Sequence, residues 1–493
     1  MRAASLTGRT TWLIVLGAVL TATLAGLLVG PEQLRLSAAT AGDPALAGRL
    51  RAALDDGPGM RSVVAAEVTK ASVNWAGVGN ATAARGTGQA PTQHTPYELG
   101  SITKTFTGSL LAEAIERKEV KSDDPLSNHL SELASTPAGG VTLASLAQHS
   151  SGLPGLGDSA AGSALAATMF SGNPYAASST EVLLADAAKA PVNPDQPATY
   201  SNLGVSLLGT ALVRAAGVAD FATLLSQRIT GPLNMTATTI AGSEAQVPVG
   251  AAPGFSASGL PQSRWTGTGY LPSGTSTFTT AADLARYAQA QLTGQAPGVG
   301  ALKPTAQLGS SNTIGWLWIT SENDGRSFTW HNGGTAGFRT TLALDLAAGR
   351  AVLLMGNAAT DLDAAAFALL RGTIAPAAET SGLQLGTWAF LVVLTLAFGL
   401  IALASAIRSQ AALPIINNLL TAVFGLTLLW VAGPWTLVGG WLLGLLAGPA
   451  LAALVIGVPR FRSLPLLPAK HGWTAWIGFV LAAALASVGI AML

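Results

Sequence analysis

The chain has 493 residues, of which 49% are hydrophobic and 10% charged, so it is too apolar to be only a soluble protein and too long to be only a membrane anchor. Its 26 Lys and Arg and 25 Asp and Glu leave a formal charge of +1, which excludes the basic balance of a nucleic-acid-binding protein. There is no cysteine, which excludes disulfides, thiolate metal sites and a cysteine nucleophile.

The charges divide the chain into three parts. Residues 1–30 and 381–493 contain bases but no acids, whereas residues 31–380 hold all 25 acids and 20 of the 26 bases, a net charge of −5. We therefore predict an N-terminal membrane anchor or signal sequence over 1–30, a soluble domain over 31–380 and a four-helix transmembrane region over 381–493. The middle part is longer than one usual hydrophobic core, which favours two lobes.

Apolar runs of spanning length occur at both ends. The run over 12–29 follows Arg2 and Arg9 and is longer than the usual signal-peptide core, which favours a retained anchor. The alternative is a cleaved signal, with the small residues 39–41 as its cleavage site. Four further runs of spanning length follow near the C-terminus: 387–407, 415–432, 435–458 and 473–492.

The positions of the bases predict the orientation. With Arg2 and Arg9 in the cytoplasm, five spans put the 408–414 and 459–472 loops on the same side, and Arg408, Arg460, Arg462 and Lys470 all lie in those loops. The lipid bilayer is therefore an expected partner. The soluble domain is expected on the extracytoplasmic side.

The soluble part predicts an α+β fold. Strand patterns over 62–83 and 342–357 stand at its two ends, the second as a hairpin around residues 347–349. Helical patterns lie between them, at 102–117, 203–215 and 281–292. This order predicts one antiparallel sheet built from both ends of the domain, flanked by helices and with an inserted helical lobe. Segments 155–175 and 241–276, rich in Gly, Ser, Ala and Pro, predict surface loops around a cleft.

Ser101 and Lys104 are the first candidates for chemistry. They lie three residues apart at the start of a predicted helix, so their side chains project together. A lysine can take a serine's proton only if burial or nearby positive charge lowers the pKa of its amine. The backbone N–H of Ser101 would also be available to an oxyanion. Taken alone, the pair is more typical of a capping serine followed by a solvated lysine than of a catalytic site.

Two further motifs occur in order after this pair. Tyr200-Ser201-Asn202 begins 99 residues after Ser101, and His331-Asn332-Gly333-Gly334 begins 131 residues after Tyr200. The order Ser-x-x-Lys, Tyr-x-Asn, His-x-Gly resembles the serine beta-lactamase and penicillin-binding-protein superfamily, in its class C and D-alanyl-D-alanine-carboxypeptidase-like branch. Residues 146–154 and Gly356-Asn357 also look like that family, and the resemblance extends over about 43–375.

The resemblance implies roles for these residues. Ser101 would be the acylated nucleophile, Lys104 would hold and shuttle its proton, and Tyr200 would be a general base or acid toward the leaving group. Asn202 would orient Lys104 and the substrate amide. The backbone N–H groups of Ser101 and Gly334 would form the oxyanion hole.

Within the third motif, Gly333 would let its strand approach the substrate. His331 stands where the lactamase branch usually has lysine, a departure that disfavours β-lactam hydrolysis. A His331 cation facing the substrate carboxylate would make activity fall as pH rises through its titration. His149 is expected to be structural, bonded within its own loop.

The resulting hypothesis is a membrane-bound extracytoplasmic serine hydrolase that acts through a Ser101 acyl-enzyme. Its expected substrates are cell-wall peptides or small amides and esters, and neither a cofactor nor a metal site is expected, since the five histidines are scattered. A true β-lactamase is one open alternative. The other is a receptor or scaffold that binds penicillin-like ligands without turnover. A small-molecule or peptide substrate and the lipid bilayer are the expected partners, nucleic acid is not, and the sequence leaves protein partners open.

Overall fold

The computed structural model describes residues 8–491 except 56, 58, 83–87, 164–171, 258, 324, 374–381, 462 and 469–471. Arg2, Arg462 and Lys470, on which the predicted orientation partly depends, lie outside the described residues. The chain forms two compact units. One comprises Arg35–Ala257 and Pro261–Ala377, and the other comprises Met1–Leu34, Ser258–Leu260 and Ala378–Leu493.

An antiparallel sheet of nine strands is the centre of the first unit. Its order is β1-β3-β2-β14-β13-β12-β11-β10-β9, and the strands are β1 (Thr40–Gly42), β2 (Ser62–Thr69), β3 (Val73–Gly79), β9 (Ala306–Leu308), β10 (Asn312–Ile314), β11 (Ile319–Asn323), β12 (Arg326–Gly334), β13 (Arg339–Asp345) and β14 (Arg350–Gly356). Strand β2 pairs with β14, so Val63 lies opposite Gly356. The two ends of the unit therefore meet inside one sheet, which confirms the predicted α+β architecture and the hairpin.

Short strands form two smaller sheets. In the first, β8 (Thr277–Thr279) pairs with both β4 (Tyr97–Glu98) and β5 (Thr239–Ile240). In the second, β6 (Gly254–Phe255) pairs with β7 (Pro261–Gln262).

Helices cover both faces of the large sheet. Successive side chains of a strand point to opposite sides, so each strand contributes to two cores. Along β2, Val63 and Ala65 pack with α2 (Pro44–Ala53) and α9 (Asp363–Arg371), whereas Val64 and Ala66 belong to the core that contains α3 (Thr103–Glu116) and α8 (Ala281–Thr293). The predicted strands and helices of this unit thus have the expected positions in chain order.

The helical lobe lies between β4 and β8. It contains α4 (Leu143–Ala147), α5 (Thr180–Lys189), α6 (Asn202–Ala216) and α7 (Phe221–Leu225), the last continued by a π-helical turn over Ser226–Thr230. The prediction of a surface loop over 241–276 is wrong at its end, where residues 269–276 are all buried. They are buried because this segment supports α3, and Thr107 Oγ1 donates to the carbonyl of Pro272 at 2.7 Å.

The second unit consists of apolar helices. These are α1 (Gly8–Val29), α10 (Gly382–Arg408), α11 (Ala412–Ala432), α12 (Trp441–Phe461) and α13 (Gly472–Ala491). The first four are long and apolar enough to cross a membrane, and α13 contains the shorter apolar stretch Trp473–Ser487. The third C-terminal apolar run is predicted from residue 435, but its helix begins only at Trp441. A turn follows Pro434. Trp435 is buried, and its Nε1 donates to the Trp430 carbonyl at 2.7 Å, which holds this segment outside the helix.

Helices α1 and α12 run antiparallel with their backbones in close contact. A Cβ at Gly26 would lie 2.5 Å from the carbonyl oxygen of Gly440, and one at Gly444 would lie 2.1 Å from that of Ala22. Small residues allow such an approach between membrane helices, where packing replaces the hydrophobic driving force. The two helices therefore pack through their small residues.

We expect Gly26→Leu to destabilise the full-length protein in detergent, because the larger side chain must push α12 away. Overpacking of this kind costs ~1–3 kcal/mol. The thermal midpoint of the helical unit should fall by several degrees. Gly17→Leu on the same helix is the matched control, since a Cβ there meets no atom within 4 Å. Equal midpoints for the two variants would contradict the assigned contact.

The described bases of this unit lie at one end of the helices. Arg460 Nη2 donates to the Ser409 carbonyl at 2.9 Å and Nη1 donates to that of Ile407 at 2.9 Å, so the end of α12 lies beside the end of α10 that carries Arg408. Because α1 is antiparallel to α12, its beginning with Arg9 faces the same end.

Candidate active site

Ser101 lies in a single 3-10 turn, Gly100–Ile102, that leads directly into α3. Gly100 has a φ of +61°, a conformation that favours glycine, and it turns the chain out of β4. Ile102, Phe106 and Leu110 of the following helix are buried and anchor it in the core. Ser101 itself is half-buried at the beginning of the helix, where unpaired backbone N–H groups point outward.

The Lys104 amine and the Ser101 hydroxyl are in contact. Lys104 Nζ lies 3.0 Å from Ser101 Oγ and 2.5 Å from the carbonyl oxygen of Ser273, and its side chain is fully buried. Burial lowers the pKa of Lys104 well below its ordinary value, because an ammonium ion loses its hydration there. The lowered pKa makes the amine easier to deprotonate, and it lies at hydrogen-bond distance from a serine hydroxyl.

Tyr200 closes the other side of this pair. The Nζ atom of Lys104 lies 4.6 Å from the centroid of the Tyr200 ring. The residue is 43% exposed, yet its hydroxyl end lies in buried surroundings that raise the pKa of Tyr200, an effect partly offset by a hydrogen bond with Ser101. The phenol is therefore protonated at neutral pH. Of the two predicted roles, general acid or general base, this favours the general acid.

Asn202 begins α6, two residues after Tyr200. The hydrogen bonds of the Lys104 amine in the described part of the chain go to Ser101 and Ser273, and neither involves Asn202. The amide oxygen Oδ1 of Asn202 is buried without a partner among the described residues. Burial raises the pKa of the nearby Tyr175 hydroxyl to about 12, with a hydrogen bond to Asn202 opposing it.

His331 is on β12, beside the nucleophile, and is 1% exposed. Burial first, and then the charge of Lys104, lower the pKa of His331 to about 4, although a contact of 2.6 Å between Nδ1 and the Asn332 carbonyl opposes this. The expected cation is therefore wrong for neutral pH. Burial in the core side of the strand, which the sequence could not show, keeps the ring uncharged.

We expect the ratio of kcat/KM between the wild type and His331→Gln to be constant from pH 5.5 to 8. The neutral ring gains a proton only as pH falls through its lowered pKa, so its charge does not change in this window. Taking the ratio cancels the titration of Lys104. A ratio that falls as pH rises through the ordinary pKa of histidine would restore the cationic role.

Gly333 and Gly334 end β12 against the nucleophile turn. A Cβ on Gly333 would lie 2.1 Å from the Leu99 carbonyl oxygen and 3.1 Å from the backbone nitrogen of Ser101. The absence of a side chain thus lets β12 pack on the segment that carries Ser101. This brings the backbone N–H groups of Ser101 and Gly334, the two predicted oxyanion donors, onto adjoining segments.

A pocket of about 320 Å³ adjoins these glycines and continues along β12. Its charged lining is Arg339, Asp361 and Asp363, with Trp265 as an aromatic wall. The Arg339 guanidinium donates to the carbonyls of Thr335 and Phe338, at 2.6 and 2.8 Å. A cavity of about 350 Å³ beside Arg214 and Asp220 is larger, but it contains none of the predicted site residues.

Several residues of the site carried no sequence signal. Ser273 acts through its backbone carbonyl, which no side-chain pattern can indicate. Glu98 is buried, and burial raises the pKa of its carboxyl to about 7, while Oε1 accepts from the Trp265 N–H at 2.7 Å. Its position three residues before Ser101 was the only available hint. Among the described residues, no group of three or more His, Cys, Asp or Glu could hold a metal ion.

The fold and the arrangement of Ser101, Lys104 and Tyr200 define a serine hydrolase. A family model described as Beta-lactamase matches residues 49–373, and the chain belongs to that family. The resemblance recognised from the three motifs is thereby confirmed.

Curated relatives match in part. The chain is 32% identical over 144 residues to the D-alanyl-D-alanine-carboxypeptidase/endopeptidase AmpH of Escherichia coli K12, which is 29% of this chain and 36% of that protein. It is 30% identical over 249 residues to the human Putative beta-lactamase-like 1, which is 48% of this chain and 47% of that protein. Each match thus spans less than half of the relative.

Solved structures share the fold over about two thirds of the chain. The D-alanine carboxypeptidase AmpC from Burkholderia cenocepacia superposes with a TM-score of 0.55 at 22% identity, covering 66% of this chain and 99% of that one. A class C beta lactamase from Rhodobacter sphaeroides has the same TM-score at 20% identity, covering 67% and 99%.

Proposed function

We propose that this protein is a membrane-bound serine peptidase or esterase that acts through a Ser101 acyl-enzyme. The observation that carries the proposal is the 3.0 Å contact between Ser101 Oγ and a fully buried Lys104, whose pKa burial lowers. A serine hydroxyl beside a neutral amine is an activated nucleophile, because the amine can accept its proton during attack.

The residues suggest the following sequence. Lys104 Nζ accepts the Ser101 proton while Oγ bonds to the substrate carbonyl carbon, and the backbone N–H groups of Ser101 and Gly334 stabilise the oxyanion. The Tyr200 phenol then donates its proton to the leaving nitrogen or oxygen and regains one from the Lys104 ammonium. The carbon–leaving-group bond breaks, leaving an ester on Ser101. Water, deprotonated by the same pair, hydrolyses that ester and returns the proton to Oγ.

The charges near the site favour a substrate without a carboxylate next to the oxyanion strand. His331 is neutral, and the adjoining pocket carries two carboxylates, Asp361 and Asp363, against the single guanidinium of Arg339. A carboxylate placed beside like charges loses affinity. β-Lactams carry such a carboxylate, so we propose neutral or cationic esters and amides as the preferred class, including cell-wall peptide bonds that have no free carboxylate beside the scissile amide.

A substrate panel tests the proposal on the full-length protein in detergent. We expect turnover of neutral esters and peptide amides, with much slower turnover of nitrocefin, a β-lactam. Rapid nitrocefin hydrolysis would instead favour the β-lactamase alternative. A stable penicillin adduct without turnover of any substrate would favour the receptor alternative.

Two variants address the charge preference. Asp361→Asn and His331→Lys should each raise penicillin acylation relative to ester hydrolysis, by about 5-fold for an effect near 1 kcal/mol. Asp123→Asn, which removes an exposed acid outside this pocket, is the matched control and should leave the ratio unchanged. Unchanged ratios in all three variants would contradict the charge preference.

We further propose five membrane spans with the hydrolase domain outside the cytoplasm. The location of Arg9, Arg408 and Arg460 at one end of the helices supports this orientation under the positive-inside rule. A reporter that needs export should be active when fused after Leu493 and inactive when fused within 459–472. The opposite pattern would overturn the five-span map.

A further inference from the structure

His149 occupies a strained position beside the proposed proton donor. It follows α4, has a φ of +56° and is 3% exposed. A left-handed conformation is uncommon for a residue other than glycine, and it persists only where surrounding contacts require it. The contacts of His149 therefore hold it in this conformation, although it takes part in none of the proton transfers of the proposed mechanism.

The contacts of His149 lead to both chain neighbours of Tyr200. Its backbone carbonyl accepts from the Thr199 N–H at 2.8 Å, and its Nδ1 accepts from the Ser201 N–H at 3.3 Å. An Nδ1 atom that accepts must be unprotonated, so the neutral ring carries its hydrogen on Nε2. Burial lowers the pKa of His149, which keeps this neutral form across the physiological range.

The imidazole also packs on the Tyr200 ring. The two ring centroids are 4.6 Å apart, with an angle of 38° between the planes. Because Tyr200 is 43% exposed, much of its surface has no protein contact to hold it. The ring contact and the two backbone hydrogen bonds thus fix a side chain that would otherwise be free to turn toward solvent.

We propose that His149 is a positioning residue that holds the Tyr200 hydroxyl at Ser101. It contributes no proton and touches no substrate; it acts by restraining the 199–201 segment and the phenol ring. This inference rests on the proposed function, because it assigns a role in proton donation to the leaving group. It also replaces the expectation that His149 serves only its own loop.

A double-mutant cycle tests this proposal on the full-length protein. The probes are ethyl butyrate, whose alkoxide leaving group needs a proton, and p-nitrophenyl butyrate, whose leaving group does not. With ethyl butyrate, we expect His149→Ala to lower kcat by about 10- to 100-fold with little change in KM. In a Tyr200→Phe background, the same substitution should lower kcat by less than about 3-fold, because its target is already lost. With p-nitrophenyl butyrate, the effect should be much smaller in both backgrounds.

Two further variants separate positioning from stability. His149→Asn retains an acceptor for the Ser201 N–H and tolerates positive φ, so it should recover part of the lost kcat. Asn234→Ala is the matched control, since Asn234 is an exposed residue with a φ of +54°, and it should leave kcat unchanged. If His149→Ala does not fold, His149→Asn replaces it in the double-mutant cycle. We then expect a smaller loss of kcat with ethyl butyrate, and this loss should again disappear in the Tyr200→Phe background.

The results distinguish this inference from the proposed function. The positioning role would be overturned if the fold losses in kcat from His149→Ala and Tyr200→Phe multiplied in the double variant. It would also be overturned if His149→Ala lowered kcat equally with both esters. Either result would leave the proposed hydrolase activity intact. Absence of any ester turnover by the wild type, together with no covalent label on Ser101, would overturn the proposed function itself.

Discussion

Replacing Ser101 with alanine is expected to abolish both covalent labelling by a fluorophosphonate and ester hydrolysis. The reagent bonds phosphorus to an activated serine oxygen with loss of fluoride, and Ser101 Oγ lies 3.0 Å from a buried amine base. Loss of such a nucleophile lowers kcat by about 10⁴-fold or more in serine hydrolases. Intact-mass measurement of the full-length protein should show one adduct on the wild type and none on Ser101→Ala.

Ser150→Ala is the control for this result. Ser150 is exposed and lies next to His149 near the site, so its loss tests reaction of an ordinary surface serine. The control should label with the same stoichiometry as the wild type. Undiminished labelling of Ser101→Ala would remove Ser101 from the mechanism.

Lys104→Met and Lys104→Arg are expected to be nearly inactive, with kcat/KM lowered by about 10³-fold or more. Methionine has no base, and an arginine guanidinium does not lose its proton in a protein. In the wild type only the unprotonated amine can accept the Ser101 proton, so activity should rise with pH through the lowered pKa of Lys104 and then stay level. A Lys104→Arg variant with wild-type activity would contradict the assignment of the base.

The same lysine is expected to lower stability at neutral pH. Its folded pKa is depressed below that of the unfolded chain, so between these two values the unfolded state binds more protons and the free energy of unfolding rises with pH. Lys104→Met should therefore have a higher thermal midpoint than the wild type near pH 7, although it is inactive. The difference should narrow as pH approaches the ordinary pKa of lysine. A difference in thermal midpoint that is constant across pH would contradict a lowered pKa for the buried amine.

Much of the architecture could be predicted because it depends on local patterns. The alternation in 62–83 indicated β2 and β3, and the helical periods indicated α3, α6 and α8, since these periods report directly which side chains face a core. The order in which strands and helices occur then predicted a sheet made from both ends. The error at 269–276 has a clear cause: a stretch rich in Gly, Ser and Pro looks like a surface loop unless another element, here α3, packs on it.

By itself, the sequence determined that the chain has apolar ends and a charged middle, and which three motifs could form the site. The division into apolar and charged parts and the three motifs depend only on which residues occur and in what order. Only the tertiary structure decided the protonation states, because burial, which sets the pKa of Lys104 and His331, arises from segments distant in the chain. It also decided what holds the reacting groups: a Ser273 carbonyl under Lys104, and His149 against Tyr200. Backbone carbonyls and ring contacts leave no pattern in a sequence, since they arise only when distant segments meet.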